Sequence, residues 1–147
     1  MRRKQQKIRA KRYYSPAERK GKTMLPPDPY RSWLEADVTH TLDVMRIKYR
    51  YEPEKLIYVE PSKTRTYTPD IILDNGVIVE IKGRWTAEDR RKMCYVIEQN
   101  PDRDIRMLFA TDNKISKQSK TRYSDWCKRR NIPYHIGKEV PIPWLEE

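Results

Sequence analysis

Asp70, Glu80 and Lys82 are charged residues set inside otherwise apolar strand sequence, so they need a chemical reason to be there. The stretch from Tyr67 to Lys82 predicts two short strands around a turn. Ile71, Ile72 and Leu73 end the first, and Val77, Ile78, Val79 and Ile81 make the second. Asp74-Asn75-Gly76 between them is a hairpin signal, because Asn and Gly accept positive φ cheaply. Side chains alternate faces along a strand, so the loop length decides which groups meet. A three-residue loop pairs Leu73 with Val77 and sets Asp70 opposite Glu80, with Lys82 one step further on the same face. A two-residue loop would put the two carboxylates on opposite faces. The three-residue loop is the expectation. Like charges directly opposite one another destabilise a sheet unless a cation sits between them. Hard carboxylate oxygens suit magnesium, or manganese in its place. The Lys82 ammonium would then stand beside the ion, able to orient or help deprotonate an attacking water. The competing reading is an edge hairpin whose charges simply face solvent.

The flanking elements must position this group. Ser32 is a good N-cap, and Glu35 three residues later completes a capping box. Leu34, Val38, Leu42 and Met45 follow at helical spacing, and the helix should end near Ile47. Glu35 is therefore either a cap residue or a third carboxylate near the hairpin, able to hold a second metal or orient a water. Strand pieces are expected at Tyr49–Glu52 and Leu56–Val59, with Glu60-Pro61-Ser62-Lys63-Thr64 breaking the pattern. Thr86 and Asp89 open a helix running to about Gln99, which Asn100-Pro101 stops. Ile105–Ala110 is a short buried strand, 111–120 a polar basic loop, and 124–130 a last helix with Trp126 and Cys127 inward. The tail, with Pro133, Pro141 and Pro143, reads as irregular or weakly extended, anchored by Trp144 and Leu145. The order helix, three strands, helix, strand, helix predicts an α/β fold: a small mixed sheet flanked by helices.

Charge adds a partner. The 147 residues carry a net charge of +11, 37% hydrophobic and 36% charged residues, and a mean hydropathy of -1.01, which makes a lean core that a partner subunit could extend. Residues 1–22 hold ten Lys/Arg against one acid, Glu18, and the rest of the chain is nearly balanced. Residues 1–22 are thus expected to be a disordered basic arm and 23–30 a Pro-rich linker, leaving one domain at 31–147. Such an arm suits a polyanion, most often nucleic acid; a solubilising tail is the alternative. No stretch is apolar enough to span a membrane and no signal peptide is visible, so the cytoplasm of the host cell is the expected location. Cys94 and Cys127 are isolated and His40 and His135 scattered, so neither a zinc site nor a small-molecule cofactor is expected.

Pro69-Asp70, then Glu80-Ile81-Lys82 across a hairpin, resembles the PD-(D/E)xK signature of metal-dependent nucleases. A longer set is more specific: Tyr30-Arg31-Ser32 leading to Glu35, Tyr67-Thr68-Pro69-Asp70, Asn75-Gly76, and Val79-Glu80-Ile81-Lys82-Gly83. With Asp104-Ile105-Arg106, Tyr123, Trp126-Cys127 and Pro143-Trp144, it resembles the bacteriophage endonuclease I family of Holliday-junction resolvases over roughly residues 30–146. Trp33 departs from that pattern, where a small residue is expected. The resemblance implies a restriction-endonuclease-like fold in an intertwined homodimer, with crossover to the partner around 58–65. Each site would take Glu35 from one chain and Asp70, Glu80 and Lys82 from the other. It implies two divalent ions per site, one on Asp70, Glu80 and the Ile81 carbonyl and the second on Glu35. The implied substrate is branched DNA, four-way junctions above all, nicked to leave 5′-phosphate and 3′-hydroxyl ends. Arg2, Arg3, Lys4, Lys7, Arg9, Lys11 and Arg12 of the arm, with Arg84, Lys114, Lys117, Lys120, Arg122 and Arg129, would contact backbone phosphates. Two readings stay open beside it: a restriction- or repair-type nuclease acting on duplex DNA, and a non-catalytic nucleic-acid-binding module.

Overall fold

The computed structural model describes residues 7–60 and 62–146. The phosphate-contact candidates Arg2, Arg3 and Lys4 lie outside the described residues. In chain order the elements are β1 (Ile8–Arg9), α1 (Pro16–Arg19), β2 (Met24–Leu25), α2 (Trp33–Val44), β3 (Tyr49–Tyr51), β4 (Leu56–Glu60), β5 (Lys63–Tyr67) and β6 (Ile71–Leu73). They continue with β7 (Ile78–Lys82), α3 (Ala87–Gln99), β8 (Ile105–Phe109), α4 (Tyr123–Arg129), β9 (Tyr134–Ile136) and α5 (Ile142–Leu145).

The principal sheet runs β3-β6-β7-β8-β9 and is mixed. Its β3, β6 and β7 are antiparallel, while β7, β8 and β9 are parallel. β7 lies between β6 and β8 with helices packed over both faces of the sheet, which is why Ile78–Ile81 are all buried. Alternation sorts the two cores. Ile72, Ile78, Met107 and Phe109 face Trp85, Met93 and Val96. Ile71, Val79, Ile81 and Leu108 face Val38 and Leu42 of α2, with Trp144 from the tail. Helices on both faces of a mixed sheet are the α/β architecture expected, with the acidic hairpin at its centre. Among the described residues no helix is long and apolar enough to cross a membrane.

Four expectations are corrected. The first helix ends at Val44, because Arg46 takes φ 58° and the Ile47 N–H returns to the Leu42 carbonyl at 3.0 Å, a Schellman-type stop with arginine where glycine is usual. Met45 is accordingly 46% exposed. Lys63 and Thr64, read as part of a break over 60–64, open the strand β5, which pairs antiparallel with β4 from Leu56↔Tyr67 to Glu60↔Lys63; its Thr residues alternate on a ribbon where a polar strand costs little. The tail is extended at β9, which pairs with β8, as one of its two readings had it, but it also carries a short helix, α5, that was not expected. The arm is ordered over residues 7–22: β1 pairs with β2, and α1 carries a full capping box from Ser15 and Glu18.

Candidate active site

The hairpin has the three-residue loop. Leu73 N–H donates to the Val77 carbonyl at 2.9 Å, and Gly76 N–H to the Leu73 carbonyl at 2.9 Å. Gly76 holds φ 89°, which explains the glycine, and Asn75 Oδ1 accepts from Val77 N–H at 3.1 Å. The pairs Ile71↔Val79 and Ile72↔Ile78 carry the register on, so Asp70 falls opposite Glu80. The face shared by Asp70, Glu80 and Lys82 is the one lined by Ile72 and Ile78.

Each carboxylate is held. Asp70 Oδ2 accepts from the Ile81 N–H at 2.8 Å. Glu80, only 5% exposed, takes a short hydrogen bond from the Tyr67 hydroxyl on Oε2, and Lys82 Nζ lies 3.5 Å from its Oε1. One ammonium cannot neutralise two buried acids. Burial, then the charge of Glu80, pushes Asp70 up to about 8 despite the Ile81 N–H. Burial also raises Glu80, against the opposing pull of Lys82, Tyr67 and Lys92. Burial works against charge on Lys82 too, but Glu80, Asp89 and Asp70 outweigh it and hold the lysine above its ordinary value. Lys82 is therefore a standing cation and a donor in this state.

Glu35 reaches the same place from the first turn of α2. Its N–H takes the Ser32 Oγ cap at 3.1 Å, but its side chain does not close the capping box on Ser32. Oε1 instead accepts from the Tyr51 hydroxyl at 2.5 Å and from the Arg31 N–H at 3.5 Å. The cap and the site share one residue. Sequence reasoning missed Glu52. Oxygens of Glu35, Glu52 and Asp70 all lie within 4.8 Å of one another, a donor set of the hard-oxygen kind that magnesium or manganese takes. Glu80 is not part of that trio, since its oxygens face Tyr67 and Lys82. Glu52 gets there because it follows β3, where it holds φ 44° and donates its N–H to the Asp70 carbonyl at 3.0 Å. Arg31 forks it at 2.9 and 3.1 Å. No spacing rule marks Glu52; only the β3–β6 pairing does.

The basic candidates divide. Arg84, Lys114, Lys117 and Arg122 border one groove with Trp85 and Asn113, and Arg84 is two residues past Lys82. Lys120 and Arg129 are exposed nearby in sequence, and Lys7, Arg9, Lys11 and Arg12 are exposed on the arm. Arg9 and Arg12 also pair with Asp28 and Glu18.

A mixed sheet whose central hairpin sets an aspartate against Glu-x-Lys, with another glutamate brought in by a helix, defines a nuclease of the PD-(D/E)xK class. Comparison with known proteins narrows it. The phage endonuclease I family matches residues 16–147, and the chain belongs to that family. It is similar to Endonuclease I of Escherichia phage T7, 40% identical over 119 residues that span 80% of this chain and 79% of that protein. It is similar too to Endodeoxyribonuclease 1 of Enterobacteria phage T3, 38% identical over 119 residues, 80% of this chain and 78% of the other.

Proposed function

We propose that this endonuclease resolves four-way (Holliday) and other branched DNA junctions by metal-dependent hydrolysis. The observation carrying the reading is the convergence of Glu35, Asp70, Glu80 and Lys82 in a chain of the phage endonuclease I family. A divalent cation, magnesium or manganese, held by Asp70, Glu80 and the Ile81 carbonyl, with a second at Glu35, would supply charge neutralisation and Lewis acidity at the scissile phosphate. The residues do the rest. Lys82 donates toward the attacking water and the phosphate oxygens, where negative charge grows in the transition state. Tyr67 and Tyr51 hold one oxygen each of Glu80 and Glu35. Water oxygen bonds to phosphorus as the bond to the 3′ oxygen breaks, leaving a 5′-phosphate and a 3′-hydroxyl. Arg84, Lys114, Lys117, Lys120, Arg122 and Arg129 take backbone phosphates, which position the substrate without reading bases.

The reading includes a restriction-endonuclease-like fold and a homodimer exchanging segments around 58–65. Exchange keeps the same contacts while changing which chain supplies Glu35. Two features support it. The β4–β5 ribbon is a sheet of its own beside the principal sheet, and on its outer face Ile57 and Val59 are 64% and 51% exposed, an apolar face that a second copy would cover. The test is a synthetic four-way junction beside its linear duplex arms, with magnesium, for wild type and Lys82→Ala. Paired nicks in the junction alone, lost in the variant by on the order of 100-fold, support a resolvase. Cutting of one duplex sequence, or binding without cutting, rejects it.

A further inference from the structure

Trp33 has no part in the chemistry, yet it sits two residues from Glu35. Trp33, Asp37 and His40 follow helical spacing and share one face of α2. That face is turned away from the sheet, which Val38 and Leu42 cover, and it receives the arm. Tyr13 stacks on His40 with ring centroids 3.8 Å apart and meets Trp33 edge-on at 6.4 Å. The Arg19 guanidinium lies 4.3 Å above the Trp33 ring and forks Asp37 at 2.6 and 2.9 Å. Tyr13 Oη donates to the same carboxylate at 2.8 Å. Trp33 Nε1 donates to the Met24 carbonyl at 2.9 Å, closing the far end. Asp37 is a buried acid on a helix exterior, and its side-chain partners here are arm residues. Buried charge persists only where it is paired this fully.

We propose that the arm is a docked DNA-contact element, fixed by Trp33, Asp37 and His40 so that its cations take the phosphate backbone beside the active site. The inference rests on the DNA-cleaving reading above. The path to the site is short: Arg9 donates to the Pro26 and Tyr30 carbonyls at 2.9 and 3.1 Å, and the next peptide N–H, that of Arg31, faces Glu35. Lys7, Lys11, Lys20 and Lys22 stay exposed around this anchor, placed to meet a polyanion, with Arg12 exposed beside them but paired with Glu18. The family match begins at residue 16, past Tyr13 and the cations before it. A cation held in place needs no further ordering on binding, so docking raises affinity beyond what the same charge on a loose tail gives.

Three full-length variants test it: Asp37→Asn, Trp33→Ala and Tyr13→Ala. Amide hydrogen exchange over residues 8–25 reads docking without DNA. Binding of a fluorescent four-way junction, without divalent metal and across a salt series, reads its use. On charge alone Asp37→Asn removes a negative group and tightens binding, and the other two change nothing. Docking gives the opposite: lost protection in the arm, junction affinity on the order of tenfold weaker, and a salt slope about 2 smaller, the share of two phosphate contacts. Unchanged protection in all three overturns the proposal, and so does lost protection with affinity and slope equal to or better than wild type. Tyr13→Ala lies on the arm itself, so it decides the matter if either helix variant fails to fold. A wild-type protein that does not bind the junction at all indicts the nuclease reading instead.

Discussion

Replacing Asp70 with Asn should make the protein more stable in alkali, and the size of the gain follows from the hairpin. In the unfolded chain Asp70 ionises near 3.8; in the fold it is pushed up to about 8 by burial and Glu80. Between those values the folded state binds the extra proton. Stability from this group is therefore greatest in acid and falls as pH rises toward 8. At about 1.4 kcal/mol per unit, the part of the shift lying below pH 7 is a penalty of roughly 4 kcal/mol at that pH. The two carboxylates titrate as a pair, so removing one acid recovers part of it, about 3 kcal/mol. For a chain of this size that is a Tm rise of about 6–12 °C. The assay is thermal unfolding of wild type and Asp70→Asn from pH 5 to pH 9 in chelator. The difference between the two curves cancels the carboxylates they share. It should be small near pH 5 and grow toward pH 8. Manganese should then raise the wild-type Tm at pH 8 more than the variant's, because it binds the folded site that retains both acids. A pH-independent difference, or a variant less stable than wild type at pH 8, would refute the idea that these carboxylates are in conflict.

Tyr67→Phe leaves Glu80 Oε2 without its donor, and should cost about 1–3 kcal/mol in urea unfolding. It should also weaken manganese binding by about tenfold in calorimetry, as loss of a group orienting a ligand does; unchanged affinity would remove Tyr67 from the site. Glu52→Gln takes a charge from the Glu35–Glu52–Asp70 trio, so half-maximal cleavage should need roughly tenfold more manganese. Coincident metal titrations would make Glu52 only the partner of Arg31. Gly76→Ala meets open space but inherits φ 89°, and should lower stability by about 1 kcal/mol with cleavage retained.

How much of this was legible in the sequence depends on how local the cause is. The Thr86–Asp89 cap and the Asn100 stop lie within their own helix, and α3 has the expected bounds. The Asp70–Glu80 register needed only strand alternation and the three-residue reading of the Asp74-Asn75-Gly76 loop. Glu52 and the strand β9 depend on neighbours distant in sequence, and no periodicity announces them; β5 pairs with the adjacent β4, but its polar, exposed residues give no apolar alternation to read. The arm was misjudged for another reason. Counting charges over residues 1–22 treats Arg19 as one more solvated cation, whereas Trp33 and Asp37 had already signalled, from the outer face of α2, that something covers them.

The centre of the sheet carries the deeper argument. A strand between two neighbours gains stability from apolar residues on both faces, and Ile78, Val79 and Ile81 supply them. Glu80 and Lys82 interrupt that run, Glu80 itself buried and opposite Asp70. Hydrophobic residues there would pack without any titration penalty, and a surface ion pair would contribute almost nothing. What the charged set does offer is donors with their outer oxygens already taken: Tyr67 on Glu80, the Ile81 N–H on Asp70, Tyr51 on Glu35. Each of these partners comes from the protein's own backbone or a phenol and is uncharged, so Lys82 beside Glu80 offsets only part of the acids' charge. The negative charge left over is aimed rather than cancelled, and a divalent ion with its phosphate ligand is the chemistry that such an arrangement fits.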